Sequence, residues 1–257
     1  MSKAGDAPVA LVTGAAKRVG RTIALALAAD EFDVAVHYGG SAAEAEEVAR
    51  EIRAMGRRAA LVQGDLAEMG APRRIMEAVV EELGAPVVLV NNASLFERDE
   101  LLDMTEEQWE VHLAVNLRAP VFLAQAFARA LPQGQPGNII NIIDQRVLKL
   151  NPLFFSYTIS KAGLFTATRT LAQALGPRGI RVNAIGPGPT LPSRRMSQED
   201  FDKQCALTLL GCGTSPEEIA QAVRFILSSP AFTGQMIVLD GGQHLRWETP
   251  DITEVPE

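Results

Sequence analysis

The sequence predicts a doubly wound α/β domain on a parallel sheet of seven strands. Three observations predict it. Short apolar runs alternate with longer helical patterns from residue 9 to residue 240. The runs are apolar at consecutive positions, as strands buried on both faces are. A glycine-bearing turn joins the first run to the first helix. In order, VALVT (9–13) opens the sheet after Pro8, and the helix at 20–29 carries an apolar stripe of Ile23, Leu27 and the alanines between them. DVAVHY (33–38) precedes a helix at 41–55, and AALVQ (59–63) precedes one at 70–83. VVLVN (87–91) starts after Pro86 and leads to a long helical pattern at 105–130. NIINII (138–143) follows Gly137, with a helix at 155–175 behind it. IRVNAI (180–185) follows Gly179, and a helix at 216–228 then leads to MIVLD (236–240). Ligands of such sheets bind beyond the carboxyl ends of the strands.

The chain has 257 residues, 47% of them apolar, and no Ser/Gly-rich linker, low-complexity tract or repeat divides it, so residues 1–257 read as one domain. A net charge of −7 disfavours broad nucleic-acid binding. No uninterrupted apolar stretch is long enough to cross a bilayer, so no membrane partner is expected. The apolar run in MSKAGDAPVALVTG is too short for a signal peptide, which predicts a cytoplasmic protein. Cys205 and Cys212 read as two small, semi-buried hydrophobes. With His37, His112 and His244 scattered, no metal site is expected.

Five features carry chemistry. In TGAAKRVG (13–20), Gly14 permits a tight turn and Gly20 a close helix–strand approach, leaving the helix N-terminus free to meet a pyrophosphate. The second strand ends HYGGS (37–41) without the acid that would bind a ribose hydroxyl, while Lys17 and Arg18 add positive charge, so NADPH is the expected cofactor. Tyr157 and Lys161 lie at i, i+4 in SYTISK, on one helix face, where the ammonium would lower the tyrosine pKa. Asn116 lies within the long helical pattern, and Pro120, having no N–H, cannot bond the Asn116 carbonyl, an acceptor placed for a relay water. Asp144 ends a buried strand, where a carboxylate is costly unless it has a task; its two readings are a capping residue and a proton donor that pairs with Lys161.

Taken together, TGAAKRVG, GDL (64–66), NNAS (91–94), Asn116, YxxxK, GPGPT (186–190) and DGG (240–242) resemble the short-chain dehydrogenase/reductase family from residue 9 to about 242. The resemblance implies a Rossmann-like fold and a symmetric homotetramer built on the helices at 105–130 and 155–175. It implies that Asp65, with Leu66, meets the adenine edge, and that Val19, Asn91, Ala93, Pro187 and Gly188 border the cofactor. His37, Ser41, Lys17 and Arg18 would hold a 2′-phosphate. Asn116 would hold a relay water, Tyr157 would donate the proton, and Lys161 would bind the nicotinamide ribose. The family's catalytic serine position, thirteen residues before the tyrosine, holds Asp144. That aspartate, Arg18 in place of the turn's middle glycine, HYGGSAAEA and NNASLF are together similar to pteridine reductases. The likeness implies substrate contacts from Arg18, Ser94, Phe96, Asp144 and Tyr157, with Phe96 stacking a flat ring. The expected activity is NADPH-dependent reduction of a pterin or dihydrofolate-type substrate. The rivals are a carbonyl or 3-oxoacyl reductase and a disabled nucleotide-binding scaffold. The polar segment 190–211 reads as a mobile substrate loop, and 243–257 as a tail reaching toward a neighbour's cleft.

Overall fold

Seven strands form one sheet: β1 (Val9–Val12), β2 (Asp33–Tyr38), β3 (Ala59–Gln63), β4 (Val88–Asn91), β5 (Gly137–Ile142), β6 (Ile180–Pro187) and β7 (Met236–Leu239). The structure, a computed structural model, describes residues 7–193, 195–249 and 253. The spatial order is β3-β2-β1-β4-β5-β6-β7, and every neighbouring pair is parallel. The expected doubly wound sheet is therefore present. Its winding reverses between β1 and β4, paired at Val12 and Val90, so the ligand crevice opens beyond those two strand ends.

Helices α1 (Arg18–Ala29), α2 (Ala42–Ala54) and α8 (Pro216–Ser228) cover one face, where Val12, Val34 and Val90 meet Ile23, Val48 and Val223. On the other face Leu11, Leu89 and Ile139 meet residues of α3 (Ala71–Leu83), α5 (Ala119–Ala130) and α6 (Phe155–Leu175), among them Ile75, Leu123 and Ala172. Both faces are buried, which is why the strands read as unbroken apolar runs. Side chains as large as Leu11, Leu123 and Phe127 are fully enclosed, each contributing about 1.5–3 kcal/mol by leaving water.

Two stretches differ from the sequence expectation. The long pattern at 105–130 is α4 (Glu106–Leu113), started by a capping box between Thr105 and Gln108, then a π-helical turn (Ala114–Arg118), then α5. The extra residue in the turn lets the chain pass Pro120 without ending the helix, and Ala119 N–H reaches back to the Ala114 carbonyl. Glu106–Ala130 is long and apolar enough to span a bilayer by composition, but half of its most apolar window is buried in the fold. The segment 190–211, expected to be a loop, contains α7 (Gln198–Ala206), capped by Ser197, whose hydroxyl accepts from Asp200 N–H. Of the tail, residues 250–252 and 254–257 lie outside the described residues.

Candidate active site

The glycine turn is built by approach rather than by flexibility. Gly14 has φ +62°, and a Cβ on Gly20 would stand 2.2 Å from the Gly14 carbonyl oxygen. Thr13 Oγ1 accepts from the N–H groups of Asn92 (2.9 Å) and Ala93 (3.0 Å), while Asn92 Nδ2 donates to the Thr13 carbonyl (2.8 Å). These bonds lock the turn to the end of β4. Lys17, the N-cap of α1, makes no side-chain cap bond. The first turn of α1 is thereby left to a ligand.

Arg18 sits at φ +54°, in the left-handed region that a glycine would enter freely and a side chain enters at roughly 1–2 kcal/mol. Its guanidinium donates to the carbonyls of Pro192 (2.9 Å) and Leu191 (3.2 Å), tying the turn to the segment that leads into α7. Lys17 pairs with Glu44 at 2.6 Å, a carboxylate in the first turn of α2.

His37 is corrected. It is buried, Nδ1 accepts from Gly14 N–H (3.2 Å), and Nε2 faces the Gly64 carbonyl at 3.1 Å. Burial pulls its pKa from 6.5 down to about 4, so it is neutral, with both ring nitrogens used by backbone. It braces the turn and cannot hold a phosphate. Ser41, N-cap of α2, makes no side-chain cap bond. Asp65 is exposed and accepts from Ala67 N–H (2.8 Å), with Leu66 buried beside it. Asn91 is buried, donates to Asn141 Oδ1 (2.9 Å), and keeps an unpartnered Oδ1. Val19 and Ala93 are half-buried flanks of the crevice. Gly188, after Pro187, donates its N–H to the Leu239 carbonyl (2.8 Å).

The structure brings the catalytic candidates together. Tyr157 Oη donates to Asp144 Oδ2 at 2.8 Å. Asp144 also accepts from Arg146 N–H (2.8 Å) and pairs with the Arg146 guanidinium (3.1 Å), so it both caps the short 3₁₀ turn Gln145–Val147 and holds the phenol. The expected ion pair with Lys161 is corrected: Lys161 Nζ donates to the Ile142 carbonyl (2.8 Å), and the cation against Asp144 is Arg146. Burial lowers the Lys161 pKa from 10.5 to about 8, opposed by Asp144. The expected drop in the tyrosine pKa is corrected too. Burial, then the Asp144 charge and hydrogen bond, push Tyr157 well above its usual 10. Tyr157 is a neutral donor.

The Asn116 side chain is fully engaged: Oδ1 accepts from Leu95 N–H (2.9 Å) and Ser94 Oγ (3.2 Å), and Nδ2 donates to the Leu95 carbonyl (2.9 Å) and Ser160 Oγ (3.1 Å). It clamps the NNASLF segment to α6. Ser94 and Phe96 are exposed at the cleft. Phe96 stacks on Phe154, ring centroids 4.5 Å apart and planes 7° apart, and meets Tyr157 edge-on at 4.8 Å. Arg146 lies 5.2 Å from the Phe96 centroid and 5.0 Å from that of Phe154. A second charge two residues past Asp144 was the one signal for Arg146. Phe154, at φ +57°, gave none.

A family model described as enoyl-(acyl carrier protein) reductase matches residues 14–244. Over 245 residues the chain is 39% identical to the short-chain dehydrogenase/reductase eriH of Hericium erinaceus, covering 91% of this chain and 97% of the relative. The chain belongs to the short-chain dehydrogenase/reductase family. It is thus an oxidoreductase by family, and the pattern from the glycine turn to YxxxK is the family's own. Another family member, a 3-oxoacyl-[acyl-carrier-protein] reductase of Synechocystis sp., is 34% identical, with 92% of this chain and 96% of the relative covered. Among solved structures, FolM alternative dihydrofolate reductase 1 from Brucella suis, in complex with NADP, superposes with a TM-score of 0.91 at 50% identity over 95% of this chain and 98% of that one. A groove of about 710 Å³ between α3 and α5, lined by Met76, Val80 and Phe122, contains none of the catalytic candidates.

Proposed function

We propose that the protein is an NADPH-dependent reductase of pterins or dihydrofolate-type substrates, working in the cytoplasm as a symmetric homotetramer. The observation that carries the reading is the Tyr157–Asp144 hydrogen bond at 2.8 Å, with the Arg146 guanidinium on the same carboxylate oxygen and Phe96 edge-on to the phenol ring. The 50% identity to FolM from Brucella suis, whose structure holds NADP, supports both substrate class and cofactor.

The crevice fits a dinucleotide. The uncapped start of α1, the packed glycine turn and the unpartnered Asn91 Oδ1 line one wall, and β2 ends on Tyr38 without an acid. Lys17 and Ser41 would meet a 2′-phosphate, Asp65 the adenine, and Lys161 the nicotinamide ribose. NADPH, when bound, supplies the hydride for a ring carbon beside an imine-like nitrogen. The chain's own residues supply the matching proton. Tyr157 has one hydroxyl hydrogen, and it points at Asp144. The phenol can turn that hydrogen toward a substrate nitrogen when Asp144 carries a proton and donates back to Oη. The dyad acts as a unit, and the nitrogen is protonated from it. Phe96 and Phe154 offer a flat aromatic wall that suits a heteroaromatic ring.

The Synechocystis relative supports a second reading, reduction of a 3-oxoacyl ketone. Against it stands the Asp144 carboxylate, which would repel the developing alkoxide that a serine hydroxyl stabilises. Steady-state NADPH oxidation with a dihydropterin, with dihydrofolate and with a panel of ketones decides between them. Turnover confined to ketones would overturn the proposal; no turnover on any of them would favour the scaffold reading.

A further inference from the structure

Next to Tyr157 lies a buried polar cluster that the proton transfer does not use. Asp99 from the loop after β4, His112 from α4 and Ser156 from α6 are all buried. His112 Nε2 accepts from Glu97 N–H (3.3 Å), so in the neutral ring the hydrogen is on Nδ1, which faces Ser156 Oγ at 2.7 Å. The Ser156 hydroxyl then donates onward to the Asp99 carboxylate, giving a directed chain from imidazole through hydroxyl to carboxylate. Asp99 also accepts from Ser156 N–H (3.2 and 3.3 Å), and the Asp99 carbonyl accepts from Phe155 N–H (3.3 Å). Phe154, the N-cap of α6, provides no side-chain cap bond, so a residue from a distant loop caps the helix that carries Tyr157.

A Ser/His/Asp set invites a reading as a hydrolytic triad, but its order and enclosure are wrong for one. The hydroxyl sits between the other two groups rather than at the end, and no atom of the serine reaches the surface. The cluster instead holds the segment that carries Phe96. Segment 92–100 has no helix or strand of its own. On one side of Phe96 it is pinned by Asn116 at Leu95, and on the other by His112 at Glu97 and by the helix cap at Asp99.

We propose that Asp99, Ser156 and His112 are positioning residues that lock Phe96 against Tyr157 to receive the substrate ring, an inference that rests on the reductase reading above. The lock requires an unprotonated Nε2, because a protonated ring would set two N–H donors face to face at Glu97. The charged groups around His112 are Asp99, 3.9 Å from Nδ1, and Glu97, with the Tyr157 ring 6.3 Å away on α6. Burial outweighs both carboxylates and keeps the His112 pKa below 6.5.

The test is NADPH oxidation with a dihydropterin by the full-length enzyme and by His112→Phe, Ser156→Ala and His112→Gln. His112→Phe and Ser156→Ala are expected to raise KM for the dihydropterin about tenfold while kcat and the KM for NADPH stay within about threefold, the split that marks lost substrate positioning. His112→Gln, whose amide oxygen can still accept from Glu97 N–H, is expected to keep a near-parental KM. In the parent, KM rises as pH falls on the acid side of 6.5; in His112→Gln that limb is gone. An unchanged KM in both disruptive variants, or an equal loss in the NADPH and dihydropterin parameters, overturns the inference. A parent inactive on both the dihydropterin and dihydrofolate removes the functional reading and this inference with it. A parent that turns over beside indifferent variants removes the inference alone.

Discussion

The hydrogen on Tyr157 is committed to Asp144, and the proposed reductase reading rests on that bond. Asp144→Asn keeps the shape but cannot share a proton with the phenol, so turnover on a dihydropterin is expected to fall about a hundredfold, the usual worth of a positioned donor. NADPH affinity should be unchanged. Asp144→Ser is expected to lose pterin turnover and to retain or gain ketone reduction; undiminished pterin turnover by the serine variant would show that the carboxylate is incidental. Lys161 offers a test in the folded state itself. It is enclosed with one carbonyl partner, and its pKa falls from 10.5 to about 8. Below pH 8 the folded chain carries a charge that water would hold better, and the penalty fades as pH rises from about 8 toward 10.5, where the unfolded lysine also loses its proton. Lys161→Met is therefore expected to be more stable than the parent at neutral pH, by on the order of a few kcal/mol, with the gap narrowing above pH 8 while activity is lost. Denaturant midpoints at neutral and alkaline pH read this directly, and a parent at least as stable as the variant at neutral pH would sink it.

Two ties run from the glycine turn to neighbouring elements. Lys17 at the start of α1 holds Glu44 in the first turn of α2, covering the acid nearest the place where β2 supplies none. NADPH is expected to be preferred over NADH by about tenfold or more, roughly 1.4 kcal/mol. Lys17→Glu, which sets two carboxylates together, is expected to erode that preference; equal efficiencies with both cofactors in the parent would reject it. Arg18 joins the glycine turn to the carbonyls of Leu191 and Pro192. Arg18→Gly relieves the left-handed strain, so it should fold at least as well while its KM for the pterin rises as the segment before α7 loses its tether. An unchanged KM would show the tether to be idle. The elements themselves were legible where burial writes a pattern. All seven strands were placed within one or two residues because residues such as Val9 to Val12 face apolar neighbours on both sides. Helix α7 was not legible, since none of its nine residues is buried and its start depends on one serine cap. The π turn was half legible: Pro120 marked a disturbance, but not that one extra residue would absorb it. In the site, Tyr157, Lys161 and Asp144 were legible from spacing and from an unexplained carboxylate. The partners were not. Sequence spacing cannot tell that Arg146 and not Lys161 meets Asp144, that His37 spends both nitrogens on backbone, or that Asp99 caps a helix more than fifty residues away.

At the scale of the whole molecule, the outer surface carries apolar side chains that the fold does not use. Phe122 on α5 is 49% exposed and Ile159 on α6 is 42% exposed, on the two helices whose inner faces already fill one side of the sheet. Val80 on α3 is exposed as well, along the groove that Phe122 also lines. Large apolar groups gathered on neighbouring helices mark an association surface. A closed assembly must use such a surface symmetrically, the same helices meeting their copies about a two-fold axis. The tail has a second connection: Lys149 Nζ donates to the carbonyls of Gln243 (3.2 Å) and Arg246 (3.3 Å), fixing its root beside the loop that follows Asp144. Truncation before residue 246 would thus disturb the cleft rim whether or not the tail meets a neighbour, so the oligomer is better tested on the helices. Sedimentation at micromolar concentration is expected to give one species of four chains. Phe122→Glu, a charge on an exposed position that leaves the core untouched, is expected to give smaller species of unaltered helicity. A parent that sediments only as a monomer would reject the assembly, and a variant that stays tetrameric would move the interface off α5.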